Sequence, residues 1–178
     1  MHQLLLLRHA KASLAEASQS DRDRPLNASG RRAATTLRRA LRALGLTPDL
    51  ILVSTARRTL ETLDALEPWD DTPLTEPMED LYLASETHLL EVLRAVPETV
   101  RAVLLIGHNP GLHQLALTLT DPRASSAPLA ERLGQGFPTA ALAELTIAGP
   151  WPRLDAGQGR LDRFLTPNTA GGTAGGTE

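Results

Sequence analysis

Three apolar stretches of the chain are each followed by side chains that can bind an anion or transfer a group. Arg8 and His9 follow Leu4 to Leu7, Arg57-Arg58 stands shortly after the second stretch, and His108 follows the third. Arginine carries a permanent positive charge on a planar fork that matches an oxyanion. Histidine is the side chain most easily held neutral or protonated near pH 7. One Arg-His pair alone fits a surface position equally well, but three such stretch ends predict an anion site with a nucleophile.

The apolar stretches have the length of buried strands. Leu4 to Leu7, Leu50 to Val53 and Val100 to Ile106 are short and unbroken, which is typical of strands covered on both faces of a parallel sheet. In an open α/β sheet, ligands bind at the carboxyl ends of the strands. We therefore expect the arginines and histidines after these stretches to meet at one opening.

Helical spacing follows each predicted strand. The first helix begins near Asn27 or Ser29 and ends at Gly45, which suits a left-handed terminal residue. Residues 121–138 are rich in proline, serine and glycine and are predicted to be irregular. The order of elements predicts an α/β fold, a three-layer α/β/α sandwich with a mostly parallel central sheet and an antiparallel edge. The remaining predicted elements are helices over Arg57 to Leu66, after Ser85 and over Pro110 to Leu119, a short extended piece near Leu74, and paired strands over Leu142 to Ala148 and Leu161 to Leu165.

Length and composition favour a single domain without a nucleic-acid or membrane partner. The 178 residues carry a net charge of −3, and 42% of them are hydrophobic. The absence of cysteine excludes disulfides, zinc-thiolate sites and cysteine nucleophiles. The N-terminal apolar run is too short to span a bilayer. We expect a cytoplasmic protein with one domain over residues 1–167 and a flexible Gly/Thr-rich tail over residues 168–178.

The residue types at the strand ends suit phosphoryl transfer. Arginine forks bind phosphate oxygens through two hydrogen bonds. A neutral imidazole can attack phosphorus and form a phosphoramidate, which water later cleaves. The transferring group spreads negative charge over three oxygens, so positioning and positive charge supply most of the catalysis. Because side chains supply both the nucleophile and the charge, we expect no cofactor and no metal.

Short motifs in unbroken order extend over about residues 3 to 167. They are Leu7 to Lys11, Asp23 to Asn27 with Gly30, Ser54 to Thr59, Leu81 to Ser85, Gly107 to Gly111, Phe137 to Thr139 and Gly159 to Leu161. Together they resemble the histidine phosphatase superfamily, which has the phosphoglycerate mutase-like fold and whose hallmark is Arg-His-Gly or Arg-His-Ala after the first strand. More narrowly, they resemble the SixA branch of phosphohistidine phosphatases.

The resemblance implies a role for each residue at the strand ends. His9 would be the phosphorylated nucleophile. Arg8, Arg58 and His108 would line the phosphate pocket. The implied substrate is phosphohistidine on a protein, and the implied enzyme is a hydrolase of the phosphorus-nitrogen bond.

The resemblance also decides between two neighbouring arginines. The family's arginine stands four residues after the serine at the end of the second strand, so Ser54 selects Arg58 and leaves Arg57 on the surface. Lys11 and Ser13 follow the nucleophile closely enough to touch phosphate or substrate.

Glu79 and Asp80 stand near the place where many members of the superfamily carry a proton donor. Such a carboxylic acid protonates the leaving group. A phosphohistidine substrate relaxes this need, because its phosphorus-nitrogen bond is labile and its imidazole leaving group can be protonated by solvent. A phosphomonoester with an alkoxide leaving group needs the acid.

Three alternatives stay open. The first is a general phosphatase of small phosphomonoesters in the same superfamily, and the second is a non-catalytic binder of phosphorylated ligands. The third is a metal hydrolase with His9, His108 and His113 as ligands beside Asp21 or Asp23. The chain has no histidine pair at a spacing of three or four, and two arginines would repel the metal.

Overall fold

The computed structural model describes residues 1–170 and contains one mixed β-sheet. The six strands lie in the order β3-β2-β4-β1-β5-β6. Strands β1 to β4 are parallel, whereas β5 runs antiparallel to both of its neighbours. The predicted, mostly parallel sheet with an antiparallel edge is confirmed. The strands are β1 (His2–Arg8), β2 (Leu50–Ser54), β3 (Leu74–Met78), β4 (Ala102–Gly107), β5 (Leu142–Ile147) and β6 (Gly159–Leu165).

Helices cover both faces of this sheet. They are α1 (Ala28–Ala43), α2 (Arg57–Leu66), α3 (Glu86–Arg94), α4 (Gly111–Leu119), α5 (Ala127–Gln135) and α6 (Pro167–Ala170). Within β1, Leu5 and Leu7 pack in one core with residues of α1 and α2, whereas Leu4 and Leu6 pack in the other with residues of α3, α4 and α5. All four leucines are fully buried because their alternating side chains each meet a layer of helices.

The carboxyl ends of three adjacent strands lie at one edge of the sheet. Arg8 at the end of β1 pairs with Gly107 at the end of β4. On the other side of β4, Ile106 pairs with Val53 near the end of β2. The predicted meeting of these strand ends is therefore present in the structure.

The first helix has the predicted ends. The Asn27 side chain accepts a hydrogen bond from the Gly30 amide at 2.7 Å, which satisfies one of the free N–H groups at the start of α1. Gly45 follows the helix with a φ of +64°, a conformation that glycine adopts without strain.

Residues 121–138 were expected to be irregular, and this expectation is wrong for Ala127–Gln135, which form α5. Only Leu133 of this helix is buried, so it lacks the repeated apolar stripe that identifies a helix from sequence. Pro128 stands in its first turn, where proline has no helical hydrogen bond to lose.

The predicted tail begins too early. Residues 168–170 belong to α6, and Ala170 is buried against the core on the side of α1 and α2. The rest of the predicted tail, residues 171–178, lies outside the described residues. Within residues 1–170, no helix is long and apolar enough to cross a membrane.

Candidate active site

His9 follows β1 with its imidazole fixed in one tautomer. Its backbone N–H donates to the Gly107 carbonyl, which ties it to β4. Its Nδ1 lies 2.8 Å from the Ala10 carbonyl oxygen, which can only accept, so Nδ1 carries the proton. Nε2 therefore presents a lone pair, and Arg58 Nε donates to it at 3.3 Å. A neutral imidazole in this form has the correct nitrogen available for nucleophilic attack.

Arg58, in the first turn of α2, lies beneath the surface and beside His9. Its side chain is 4% exposed and contacts Asp21 twice, through the backbone oxygen at 2.6 Å and through Oδ2 at 3.0 Å. Arg57 instead points to solvent and pairs with Glu61 at 2.7 Å. The structure thus brings Arg58, and not Arg57, to the histidine.

His108 follows β4 and lies next to both groups. Its ring centroid is 5.2 Å from that of His9. Arg58 Nη2 lies 3.5 Å from Nδ1 and can only donate, so Nδ1 accepts and Nε2–H donates to Ser54 Oγ at 2.8 Å. Ser54 was used in the sequence only to choose Arg58 over Arg57. In the structure its hydroxyl also orients the His108 ring.

Arg8 completes the group on the side of β5. Its Nη1 donates to the Phe137 carbonyl at 3.0 Å, and Asn109 Nδ2 donates to the same oxygen at 2.9 Å. Arg8 Nε is buried and has no hydrogen-bond partner among the described residues. The guanidinium is thus anchored at one nitrogen and keeps other donors for a ligand.

Burial and the two arginines keep both histidines neutral. Burial is the largest cause that lowers the pKa of His9 from 6.5 to about 4, and the charges of Arg58 and Arg8 add to it. Burial, followed by the proximity of His9 and Arg58, lowers the pKa of His108 to about 3. At neutral pH the positive charge of the site therefore lies on the guanidinium groups.

Asp21 and Tyr82 form the outer wall of the site. The Tyr82 hydroxyl donates to Asp21 Oδ2 at 2.6 Å, and its ring meets His108 edge-on at 5.4 Å. The hydrogen bond from Tyr82, followed by that from Arg24, holds the pKa of Asp21 well below its usual range. Asp21 is therefore a carboxylate and not an acid at neutral pH.

Tyr82 was missed as a site residue from sequence, where Asp21 was named as a ligand of the metal alternative. The signal available for Tyr82 was that the single tyrosine of the chain follows β3 at the same edge of the sheet. The short extended piece predicted near Leu74 is β3, but its mostly exposed residues did not indicate a strand of the central sheet.

The remaining predicted residues lie at the margin of the site. Lys11 and Ser13 contribute backbone contacts, since the Lys11 carbonyl accepts from the Asn27 amide and the Ser13 carbonyl accepts from Arg24 Nε at 2.8 Å. These bonds hold the loop that follows the nucleophile. No side-chain hydrogen bond joins Lys11 or Ser13 to His9 within the described residues.

Glu79 and Asp80, the two carboxylates expected from sequence as candidates for the proton donor, point outward. The side chain of Glu79 is 83% exposed and pairs with Arg22 at 3.3 Å. Asp80 pairs with the exposed His88 at 3.0 Å. No hydrogen bond or ion pair in the described part of the chain links either carboxylate to His9.

The ligand set of the metal alternative is not brought together. His113 Nε2 lies 2.7 Å from the Leu133 carbonyl on α5, and Asp23 accepts from Ser20 in an exposed turn. Across residues 1–170, no three histidine or acidic side chains form a group that could hold a metal ion.

Comparison with known proteins identifies the family of the chain. The model of the histidine phosphatase superfamily (branch 1) matches residues 4–81. An uncharacterized protein of Mycobacterium tuberculosis is 34% identical over 161 residues, which cover 90% of this chain and 99% of the relative.

Two solved structures described provisionally as the phosphohistidine phosphatase SixA are similar over most of their length. The protein from Nakamurella multipartitia is 30% identical with a TM-score of 0.81, covering 93% of this chain and 96% of the other. The protein from Agrobacterium tumefaciens is 32% identical with a TM-score of 0.78, covering 93% and 98%. The chain, whose first strand ends at Arg8 and is followed directly by His9 and Ala10, belongs to the histidine phosphatase superfamily.

Proposed function

We propose that the protein is a phosphatase that hydrolyses phosphohistidine on proteins through a phosphorylated His9. One observation carries the proposal: His9 Nε2 is an unprotonated nitrogen within 3.3 Å of Arg58, with Nδ1–H held by the Ala10 carbonyl. A pKa of about 4 keeps this nitrogen nucleophilic at neutral pH. Arg8, Arg58 and His108 surround the position that a phosphoryl group would occupy.

In the first step, the lone pair of His9 Nε2 forms a bond to phosphorus. The bond between phosphorus and the substrate nitrogen breaks, and its electron pair stays on the substrate imidazole, which takes a proton from solvent. Arg58 and Arg8 stabilise the charge on the phosphoryl oxygens. The Ala10 carbonyl stabilises the positive charge that develops on the His9 ring, because it already accepts the Nδ1–H bond.

In the second step, water attacks the phosphorus of the phosphoenzyme. The bond to His9 Nε2 breaks and its electron pair returns to the nitrogen, so the imidazole becomes neutral again. The protons of the attacking water leave with the inorganic phosphate. Arg58 and Arg8 hold the phosphoryl oxygens in both steps, so one set of side chains stabilises both transfers.

Phosphohistidine is the substrate favoured by the acid-base groups of the site. The one carboxyl group that contacts Arg58 within the described residues is Asp21, whose lowered pKa leaves it without a proton to donate. An imidazole leaving group needs no strong internal acid, whereas an alkoxide does. The descriptions of the two SixA structures, both at least 30% identical, support the same substrate class.

The test is to mix the enzyme with a protein that carries radiolabelled phosphohistidine and, separately, with an alkyl phosphomonoester. We expect rapid phosphate release from the first, slow release from the second, and an acid-labile phosphoenzyme in the wild type. The His9→Ala variant should lose both turnover and the labelled intermediate. His88→Ala, which removes an exposed histidine on α3, is the matched control. Full activity of His9→Ala would contradict the mechanism.

A further inference from the structure

A broad groove opens beside Arg8, which is one of its lining residues. Its volume is about 970 Å³, and its lining includes Asn109, Phe137, Arg132 and Gln135 of α5, and parts of residues 164–169. We call it the Arg132 groove after the arginine of α5 that lines it. A water molecule occupies about 30 Å³ in the liquid, so the groove has room for several side chains beyond a phosphoryl group.

The charge of the Arg132 groove is positive. Arg8 and Arg132 line it, and no aspartate or glutamate among the described residues does. Neither arginine has a carboxylate within 4.0 Å in the described part of the chain, whereas Arg163 nearby on β6 pairs with Glu144 at 2.6 Å. A surface concavity with charge of one sign attracts ligands of the other sign.

Arg132 is held firmly against the floor of the groove. Its Nη2 donates to the Phe164 carbonyl at 3.1 Å, and its guanidinium lies over the Phe164 ring at 5.7 Å. The Phe164 ring contacts the Phe137 ring at 5.3 Å, and the Phe137 carbonyl accepts from Arg8. This continuous chain of contacts fixes Arg132 relative to the phosphate site, and the guanidinium keeps further donors for a ligand.

We propose that the Arg132 groove binds a segment of the protein substrate that carries acidic side chains beside its phosphorylated residue. The inference rests on the proposed function, because the groove starts at the arginine assigned to the phosphoryl group. Its size and its open course along the surface suit a polypeptide, whereas an enclosed pocket suits a small metabolite. Because Arg8 binds the phosphoryl group, the charge of Arg132 is the one that selects carboxylates.

The experiment changes the charge of the groove at Gln135, an exposed residue at the end of α5. Two phosphohistidine peptides that differ only in flanking residues, glutamates in one and lysines in the other, are compared by kcat/KM. We expect the wild type to prefer the acidic peptide. Q135E should lower the ratio of acidic to basic kcat/KM about threefold and Q135K should raise it, as expected for one screened charge pair. The change should come from KM.

Gln158→Glu is the matched control, since it adds the same charge on the exposed turn between β5 and β6, away from the groove. This variant should keep the wild-type ratio. An equal ratio of acidic to basic kcat/KM in wild type, Q135E and Q135K would overturn the proposed role of the groove. It would not contradict the proposed phosphatase activity. Free glutamate is then added at concentrations near the KM of the peptide. If it removes the preference for the acidic peptide, the groove is a site for a small carboxylate, and the proposed binding of a substrate segment is overturned.

A binding measurement separates this inference from the proposed function. The His9→Ala variant is titrated with the unphosphorylated acidic and basic peptides, each carrying a fluorescent label, and anisotropy is followed. We expect tighter binding of the acidic peptide, and we expect the additional substitution Arg132→Gln to weaken it. This result supports binding of acidic segments in the groove even if no turnover is found. Equal binding of both peptides overturns it.

Discussion

Asp21 holds Arg58 through two different groups, its backbone oxygen at 2.6 Å from Nη1 and its carboxylate at 3.0 Å from Nη2. The arginine is buried, whereas the side chain of the aspartate is about half exposed. The backbone contact orients the guanidinium, and the carboxylate in addition places a negative charge beside the phosphate site. These two effects can be separated, because a substitution of the side chain leaves the backbone oxygen in place.

Asp21→Asn should therefore strengthen the binding of inorganic phosphate. The amide oxygen can still accept from Tyr82, but the charge that repels phosphate is gone. Removing one like charge about 5 Å away in water-like surroundings is worth about 0.8 kcal/mol, or roughly a fourfold lower Kd. Calorimetric titration with phosphate measures the effect. Weaker binding would show that the charge of Asp21 is needed to hold Arg58 in place.

The two neutral histidines make stability depend on pH. In the unfolded chain both titrate near 6.5, whereas in the folded protein the pKa is about 4 for His9 and about 3 for His108. Between pH 6.5 and about 4 the unfolded state thus binds more protons, and the free energy of unfolding falls as the pH falls, by up to about 1.4 kcal/mol per pH unit for each histidine.

Urea unfolding at pH 7 and pH 5 measures this dependence. We expect the wild type to have a lower free energy of unfolding at pH 5 than at pH 7. The difference between the two pH values should be smaller for a double variant that combines His9→Asn and His108→Asn. An equal loss of stability in both proteins would show that other groups cause it.

Most of the site residues were predicted from their positions directly after the apolar strands. Unbroken apolar runs such as Leu4 to Leu7 are typical of strands buried between two layers of a parallel sheet, and such a sheet brings the residues after each strand to one edge. His9 and His108 follow their strands directly, so no long-range information was needed to place them. The choice of Arg58 over Arg57 came from the resemblance to the histidine phosphatases, which implies an arginine four residues after Ser54.

What the sequence did not predict depends on side-chain contacts between distant segments. Asp21 is separated by 37 residues from Arg58 and by 61 from Tyr82, and no local pattern links them. Glu79 was a candidate for the proton donor because of its place in the sequence, but this place does not determine which way a side chain points from the short 3-10 helix Glu79–Leu81. Its carboxylate pairs with Arg22 at the surface.

Arg58→Ala should lower kcat/KM far more than Arg57→Ala. Arg58 donates to His9 Nε2 from a buried position, and loss of a charged group of this kind costs about 3 kcal/mol of transition-state stabilisation, or roughly a hundredfold. Arg57 makes only an exposed pair with Glu61, which contributes little to stability. Turnover of a phosphohistidine peptide by the two variants makes the comparison, and similar losses in both would contradict the assignment.

Gly30 allows α1 to approach the loop that follows the nucleophile. A Cβ atom at this position would lie 2.1 Å from the Lys11 carbonyl oxygen. That oxygen accepts from the Asn27 amide, so the loop cannot move away without losing this bond. Gly30→Ala should therefore destabilise the protein by about 1–3 kcal/mol, the usual cost of overpacking, and should lower activity because the displaced Lys11 is two residues from His9.

Gly134→Ala tests whether the effect at Gly30 is steric. Gly134 lies in α5 beside open space, where an added methyl group would meet no neighbouring side chain or loop within 4 Å. Alanine there should stabilise the protein by about 0.5–1 kcal/mol through helix propensity. Thermal unfolding of both variants, monitored by circular dichroism, measures the two changes. Opposite signs are the expected result, and destabilisation of both would mean that a methyl group on these helices is unfavourable for a reason other than the contact with Lys11.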